Sequence, residues 1–343
     1  MTTYLITGSC GTIGSALVKQ LSKNTSDCVV RCVDNNESLL YFQQRVFQDN
    51  PRVESYLGDI RDADRLGIIM KGVDIVLHAA ALKHVGMCEY SPMEAVQTNI
   101  LGLNNVLRTA SAAEVKKVIF MSSDKAVNPT NVLGTTKLMG ERLVTAANLN
   151  QEVGETIFSS VRFGNVLGSN GSVVPVFEEQ IIKGGPVTLT DRRMTRFIMS
   201  VDQTVDLVKK SLETAQGGEV FVTKMPSVRI EHLAEVMVSQ LSPKLSNQFE
   251  EIVIEEIGCQ SGEKLFEELM TEEESKRAME TNDFFMILPA FHEYYSRVID
   301  EYTNIGEFVD GNRYVSEGGP YLSKEELTHF LLENNVFADN QKV

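Results

Sequence analysis

Tyr4-Leu5-Ile6-Thr7-Gly8-Ser9-Cys10-Gly11-Thr12-Ile13-Gly14 is the stretch that decides the fold. A short apolar strand runs into a glycine-rich turn, and the turn opens a helix. Glycine at 8, 11 and 14 permits the tight turn, close approach of the backbone to a pyrophosphate, and packing of helix on sheet. The helix N-terminus then offers unpaired N–H groups to phosphates, which puts Gly8, Gly11, Thr12, Ile13 and Gly14 at a dinucleotide. An acidic residue belongs about 20 positions further on, at the tip of the second strand, and Asp34 stands there. Its carboxylate can accept from both ribose hydroxyls and repels a 2′-phosphate. Asn35-Asn36-Glu37 supplies no cation to hold that phosphate, so the cofactor implied is NAD, not NADP.

Outward from this loop, apolar β-branched runs alternate with amphipathic stretches. Strands are expected at Thr3–Thr7, Cys28–Asp34, Val53–Gly58, Asp74–His78, Lys117–Ser122 and Thr156–Arg162. Helices are expected at Gly14–Ser22, Ser38–Gln48, Ala63–Met70, Met93–Ala112 and Thr135–Leu149. Such alternation specifies an α/β fold with a doubly wound parallel Rossmann sheet, because each parallel crossover needs a helix to cover a face. Asp74-Ile75-Val76-Leu77-His78 is the continuous apolar run of a strand buried on both faces. At the end of the third strand, Gly58-Asp59-Ile60-Arg61-Asp62 either holds an adenine or forms a plain turn. Beyond residue 163 the rhythm changes to a loop-rich stretch, 164–196. A helix at Val201–Glu213 and a strand at Glu219–Thr223 return to the sheet. Helices at Ile230–Gln240, Gly262–Met270 and Lys324–Leu332 then build a smaller, partly interleaved C-terminal domain.

Composition narrows the function classes. The 343 residues carry 32 basic and 47 acidic side chains, a formal charge of −15, which argues against nucleic acid or an anionic membrane as a main partner. The late acidic runs, Glu250-Glu251 and Glu272-Glu273-Glu274, read as solvated helix faces. Cys10, Cys28, Cys32, Cys88 and Cys259 form no CxxC pair and no metal-type cluster. With an N-terminus that starts directly as a strand, they point to a reducing cytoplasm. The five histidines are dispersed, so no metal is expected, and no apolar run reaches the roughly 20 residues that span a bilayer.

At the end of the fifth strand, Ser123-Asp124-Lys125 sets an acid beside an amine, followed by Ala126-Val127-Asn128-Pro129. Either this is a surface turn or it is an acid–base pair in the crevice where such sheets bind ligands.

Several motifs together resemble the extended short-chain dehydrogenase/reductases: the Gly-x-x-Gly-x-x-Gly spacing, Asp59-Ile60, His78-Ala79-Ala80-Ala81, Asn99 and Lys137. Five further stretches resemble the nucleotide-sugar 4,6-dehydratases that act on UDP-N-acetylglucosamine. These are Ala80-Ala81-Leu82-Lys83-His84-Val85, Ser123–Val132, Phe163-Gly164-Asn165-Val166-Leu167-Gly168-Ser169, Gly185-Pro186-Val187-Thr188 with Met194-Thr195-Arg196-Phe197, and Gly262-Glu263-Lys264-Leu265. The likeness runs from residue 1 to about 275.

The resemblance implies NAD binding by residues 1–163 plus 197–223 and nucleotide-sugar binding by 164–196 plus 224–343. It implies that Ala79, Ala80, Ala81, Asn99 and Lys137 join the loop, Asp34, Asp59 and Ile60 at the cofactor. In this family hydride leaves sugar C4, the C5 proton is lost, the C6 hydroxyl departs, and the hydride returns to C6. Carried over, Lys125 is the C5 base and Asp124 the acid for the C6 oxygen. Lys137 holds the nicotinamide ribose. The family's usual Tyr-x-x-x-Lys pair is broken here, because Leu133 stands where the tyrosine belongs. Ser123 then hydrogen-bonds the C4 hydroxyl, with Asp124 or a water taking its proton, and the apolar residue resembles the types that retain C5 configuration. A 4-epimerase and a non-catalytic NAD sensor are the competing readings.

For the substrate, Asn165 resembles the asparagine that contacts the diphosphate. Val173 and Val174 would pack the nucleotide, and Thr188 and Thr190 flank its base. Arg196 meets either a phosphate or an acidic neighbour, and Glu263 either binds the ribose or caps a helix. Lys83 lies near sugar or phosphate, and His84 in pocket or core. Asn170, Gln260 and Ser261 depart from the pattern of two arginines and a proline, which leaves UDP or GDP open, with Arg192 or Arg193 as substitutes. A homo-oligomer is expected, through Met93–Ala112 or Thr135–Leu149.

Overall fold

The computed structural model describes residues 1–23, 28–149, 156–169, 171–245, 252–259, 262–290, 302, 305–309 and 311–337. The chain forms two compact units. The first comprises Met1–Phe163, Val201–Lys224 and Leu269–Arg313; the second comprises Gly164–Ser200, Met225–Glu268 and Tyr314–Val343.

The first unit is wound as the alternation requires. Its elements are β1 (Thr2–Thr7), α1 (Thr12–Lys23), β2 (Cys28–Asp34), α2 (Glu37–Val46), β3 (Val53–Leu57), α3 (Ala63–Ile69), β4 (Ile75–His78), α4 (Val85–Tyr90) and α5 (Pro92–Ala95). A π-helical stretch, Val96–Gly102, leads into α6 (Leu103–Ala112), β5 (Lys117–Met121), α7 (Val132–Leu149) and β6 (Ile157–Arg162). The strands pair in parallel in the order β3-β2-β1-β4-β5-β6, with Thr7 opposite His78 and His78 opposite Phe120. The order reverses between β1 and β4, and a sheet of this kind binds ligands at that switch point. Val220–Thr223 adds a further parallel strand beside β6.

Leu66, Ile69, Leu103, Val106, Leu107 and Val144 cover one face, packed on Val76, Val118, Phe120 and Phe158. The helix Val201–Thr214 lies beside α1 and against β5 and β6. Helices therefore cover the strands that carry the chemistry, and burying each large apolar side chain contributes about 1.5–3 kcal/mol.

The division of the chain departs from expectation in two places. Thr195–Met199 pairs with Ser227–Arg229 and Asn165–Val166, so the boundary falls at Val201 and not 197. Residues 269–313 belong to the first unit, because the antiparallel strands Ala278–Glu280, Phe284–Ile287 and Glu307–Phe308 extend the large sheet beyond Val220–Thr223. The helix expected at Gly262–Met270 is absent; turn and bend lead there into the strand Glu268–Met270. The acidic run at 272–274 is only partly solvated. Glu274 is buried in a capping box with Thr271, whose side chain accepts the Glu274 N–H at 3.1 Å. Glu250 and Glu251 lie outside the described residues.

In the second unit, the helices Val173–Ile182, Ile230–Leu241 and Lys324–Glu333 supply an apolar core that includes Val174, Phe177, Leu233, Met237 and Leu327.

Candidate active site

The glycine loop closes as its sequence requires. Gly8 has φ +68°, and a Cβ there would lie 2.7 Å from the Ala80 backbone; a Cβ on Gly14 would lie 2.1 Å from the Gly8 carbonyl oxygen. Any side chain at either point would fill the space that lets the loop, the start of α1 and residues 79–81 meet. The Ala79 N–H donates to the Thr7 carbonyl at 3.1 Å, so Ala79 and Ala80 leave β4 flush with the loop, and Ala81 follows them in the chain. Asp34 accepts from the Cys10 N–H and the Asn36 N–H, each at 3.0 Å, and its carboxylate is thereby fixed at the tip of β2. Glycines with no room for a side chain, a helix start and an anchored acid fit a dinucleotide.

Gln43, unremarked in the sequence, locks this loop. Its Nε2 donates to the Ser9 carbonyl at 2.7 Å, and its Oε1 accepts from Ser9 Oγ at 3.0 Å. The signal was weak: a polar residue three positions after Leu40, on the buried side of α2. Burial and the Asp34 carboxylate push the Cys10 thiol up to about 11.

Three residues expected at the cofactor also have partners within the chain. The Ile60 side chain sits in the core, where Gly102 leaves it room. The Asp59 carboxylate is forked by Arg61, with contacts of 2.7–3.1 Å, and the Arg61 hydrogen bond holds it below the usual carboxylate range. Asn99, buried in the π-helical stretch, accepts from the Leu82 N–H at 2.8 Å and donates to the Leu82 carbonyl and to Thr136 Oγ1, each at 3.0 Å. It fastens the segment after β4 onto α7.

At the end of β5 the sequence cluster is assembled. Ser123 Oγ donates to Asp124 Oδ1 at 2.6 Å, and Lys125 Nζ reaches Asp124 Oδ1 at 3.2 Å and Oδ2 at 3.0 Å. The Asp124 side chain is only 5% exposed and that of Lys125 33%, so the acid is sheltered while the amine reaches the surface. The three residues are held by a 3-10 turn, Asp124–Ala126, capped by Ser123. Behind them, Lys137 is buried, donates to the Met121 carbonyl at 2.8 Å and lies over the Phe120 ring. Burial lowers its amine to about 8, against the Glu141 charge, which raises it. His78 Nδ1 pairs with Thr7 Oγ1 at 2.7 Å, and burial, aided by Lys137, brings the ring down to about 3, so it is neutral. Leu133 is buried beside Cys88 and Ala95, with Val85 and Val132 around them, and brings no hydroxyl.

The substrate assignments fare differently. Lys83 and His84 are exposed just before α4. Val174 lies in the core of the second unit, and Val173 is half-buried against that core. Thr188 is held by Gln180, whose Nε2 donates to Thr188 Oγ1 at 2.7 Å, and the Thr190 hydroxyl turns to Met194 Sδ. Asn165 Nδ2 donates to Glu267 Oε1 at 2.8 Å and to the Phe197 carbonyl at 3.3 Å. Both amide hydrogens are spent, so the side chain presents its carbonyl oxygen, an acceptor unsuited to a phosphate. Arg196 has taken the acidic neighbour, Glu267 at 3.4 Å, along with the Thr195 and Leu265 carbonyls. Arg192 pairs with Glu231 and Arg193 with Asp191, so neither stands ready as a substitute cation. Glu267, which gathers Asn165, Arg196 and the Phe197 N–H, escaped sequence reasoning; Glu263, four residues earlier, is exposed with no helix to cap. Asn170, Gln260 and Ser261 lie outside the described residues. No group of three or more His, Cys, Asp or Glu suited to a metal occurs among the described residues, and none of their helices is long and apolar enough to cross a membrane.

A family of polysaccharide biosynthesis proteins matches residues 4–289. An uncharacterized membrane protein of Methanocaldococcus jannaschii is 46% identical, over 96% of this chain and 95% of that protein. A UDP-N-acetylglucosamine 4,6-dehydratase (inverting) of Campylobacter jejuni is 36% identical, covering 97% and 98%, and a UDP-glucose 4-epimerase of Rickettsia bellii 39%, covering 99% and 98%. Among solved structures, Pen from Bacillus thuringiensis superposes with a TM-score of 0.88 at 40% identity over 98% of each chain. A dTDP-glucose 4,6-dehydratase of Streptomyces venezuelae with NAD bound, TM-score 0.71 at 18% identity over 99% and 98%, shares the fold. The chain belongs to the polysaccharide biosynthesis protein family and, within the extended short-chain dehydrogenase/reductases, to the nucleotide-sugar dehydratases and their epimerase relatives.

Proposed function

We propose that this chain is an NAD-dependent nucleotide-sugar 4,6-dehydratase that converts UDP-N-acetylglucosamine to UDP-2-acetamido-2,6-dideoxy-4-hexulose. The observation that carries the reading is the Ser123-Asp124-Lys125 cluster, an acid and an amine 3.0 Å apart at the end of β5. The names of the Campylobacter relatives support the substrate, and the glycine loop with Asp34 supports the cofactor. The glycine loop and Asp34 would hold NAD, which would supply hydride acceptance at sugar C4 and hydride return at C6.

The chain's own groups move the protons. Ser123 hydrogen-bonds the C4 hydroxyl and Asp124 takes its proton. Lys125, as the free amine, removes the C5 proton, which the neighbouring ketone acidifies. Asp124 then gives its proton to the departing C6 oxygen, water leaves, and Lys125 returns a proton to C5. Each positioned group of this type contributes about 100- to 10,000-fold. An epimerization would leave the Asp124–Lys125 pair without a task. Lys137, with the charge of its buried amine, would hold the nicotinamide ribose.

The finer expectation is retention at C5, since one amine serves both removal and return and Leu133 supplies no second acid. The names of the Campylobacter relatives favour inversion. Incubation of the protein with UDP-N-acetylglucosamine, followed by mass analysis, is expected to give a product lighter by one water. Unchanged mass with a new epimer would make it an epimerase, and absence of any product would remove the reading. The same reaction in D2O, with C5 configuration read by NMR, separates retention from inversion. Lys125→Ala is expected to abolish turnover while NAD still binds.

A further inference from the structure

Glu141 has no task in the reaction set out above, yet it lies buried one helical turn beyond Lys137 on α7. Side chains four positions apart on a helix share a face. Its carboxylate accepts from Ser122 Oγ at 2.6 Å and from Arg162 at 2.6 and 3.0 Å. Ser122 immediately precedes the reacting cluster. Arg162, fully buried at the end of β6, also donates to Glu274 at 3.0 and 3.1 Å and to the Leu269 carbonyl at 2.7 Å. The backbone of this strand end is tied as well: the Ser122 N–H donates to the Val161 carbonyl at 2.7 Å and the Asp124 N–H to the Phe163 carbonyl at 3.0 Å.

Charge accounting sets Glu141 apart from Glu274. Arg162 with two carboxylates leaves one negative charge in excess, in a region where an unbalanced charge is costly. Arg277 is a second cation acting on Glu274, whereas for Glu141 the second cation is the buried Lys137, one helical turn away. The other titratable groups facing the amine are neutral. They are His78 on β4, held so by burial, and the Cys88 thiol on α4, raised first by burial. Asp124 is engaged by Ser123 and Lys125, and Glu89 on α4 turns to the Val132 N–H.

We propose that Glu141 is a positioning residue for the dehydration: it anchors the strand end that carries Asp124 and Lys125 through Ser122 and Arg162, and it places a carboxylate one helical turn from the buried Lys137 amine. The inference rests on the reaction proposed above.

Wild type, Glu141→Gln and Glu274→Gln of the full chain provide the test. Both variants strip one carboxylate from Arg162, so both are expected to melt at a lower temperature. Only Glu141→Gln is expected to lower kcat, by about tenfold or more, with KM little changed. It should also move the alkaline limb of the pH–rate profile, and the pH at which NAD affinity falls in calorimetric titrations, downward by about one unit. Glu141→Asp, which keeps the charge but shortens the reach, is expected to restore the wild-type limb while kcat stays low. Identical pH profiles for Glu141→Gln and Glu274→Gln would overturn the proposal. If Glu141→Gln does not fold, Glu141→Asp with wild-type kcat overturns it and with reduced kcat and a wild-type limb supports it. If the wild type makes no product from UDP-N-acetylglucosamine, the reaction reading fails, while the pH dependence of NAD affinity still decides whether Glu141 governs the Lys137 charge.

Discussion

Leu133 shows how one position redirects a site. Near the start of α7 it fills the place of a hydroxyl-bearing side chain, but its surroundings of Cys88, Ala95, Val85 and Val132 are apolar. Leu133→Tyr is expected to lower stability by about 1–3 kcal/mol through overpacking. Turnover is expected not to rise; a gain in turnover would mean that the chain had simply lost a needed base. Denaturant midpoints and steady-state rates read both. The departure at 133 and the Ser123-Asp124-Lys125 cluster were visible in the sequence, since both are residue identities within short spacings. Glu141, Gln43 and Glu267 were not. Each acts through a partner distant in the chain, and nothing local marks a carboxylate or amide that will be buried.

Elements with a strong period were readable. Cys28–Asp34 matches its expected bounds, and the other strands of the parallel sheet moved by a residue at an end. The expected single helix Met93–Ala112 is interrupted by π-helical turns, because Asn99 reaches the backbone of Leu82 on one side and Thr136 on the other. A period count cannot report that choice. Asn99→Ala removes one buried and two part-buried hydrogen bonds, each worth about 1 kcal/mol, and strands their partners. It is expected to lower the melting temperature and to weaken NAD binding, read by calorimetry, because residues 79–82 lose their fastening to α7. The hairpin at 278–287 was missed although Thr281-Asn282-Asp283 marks its turn, where Thr281 Oγ1 accepts the Asp283 and Phe284 N–H groups. Its strands are only three and four residues long, too short for alternation to stand out.

At the scale of the molecule, His78 ties the stability of the sheet to pH. Free histidine titrates near 6.5 and the buried ring near about 3. Between those values the unfolded chain takes up a proton that the folded chain refuses, so stability falls as pH drops through this window, by up to about 1.4 kcal/mol per pH unit. Glu274, lowered to about 2 against burial by Arg162, adds a loss of the same sign below its ordinary 4.5. Between pH 4.5 and 6.5, above the ordinary value of Glu274, His78 contributes its slope. Denaturant midpoints over that range are expected to fall for the wild type and to flatten in His78→Gln. The parallel sheet was evident from the alternation of strands and helices. The return of 269–313 to it was not, since that assignment depends on which neighbour Val220–Thr223 accepts.

The neighbour that flanks β6 in the finished sheet, Val220–Thr223, comes after a long stretch of chain devoted to the other unit. A ribosome therefore delivers β1 through β6 well before that flank can be filled. For this interval the nascent protein carries an open strand edge with its N–H and C=O groups unclaimed, the kind of surface that templates misassembly. The interleaved chain order leaves that edge open until Val220–Thr223 has been made.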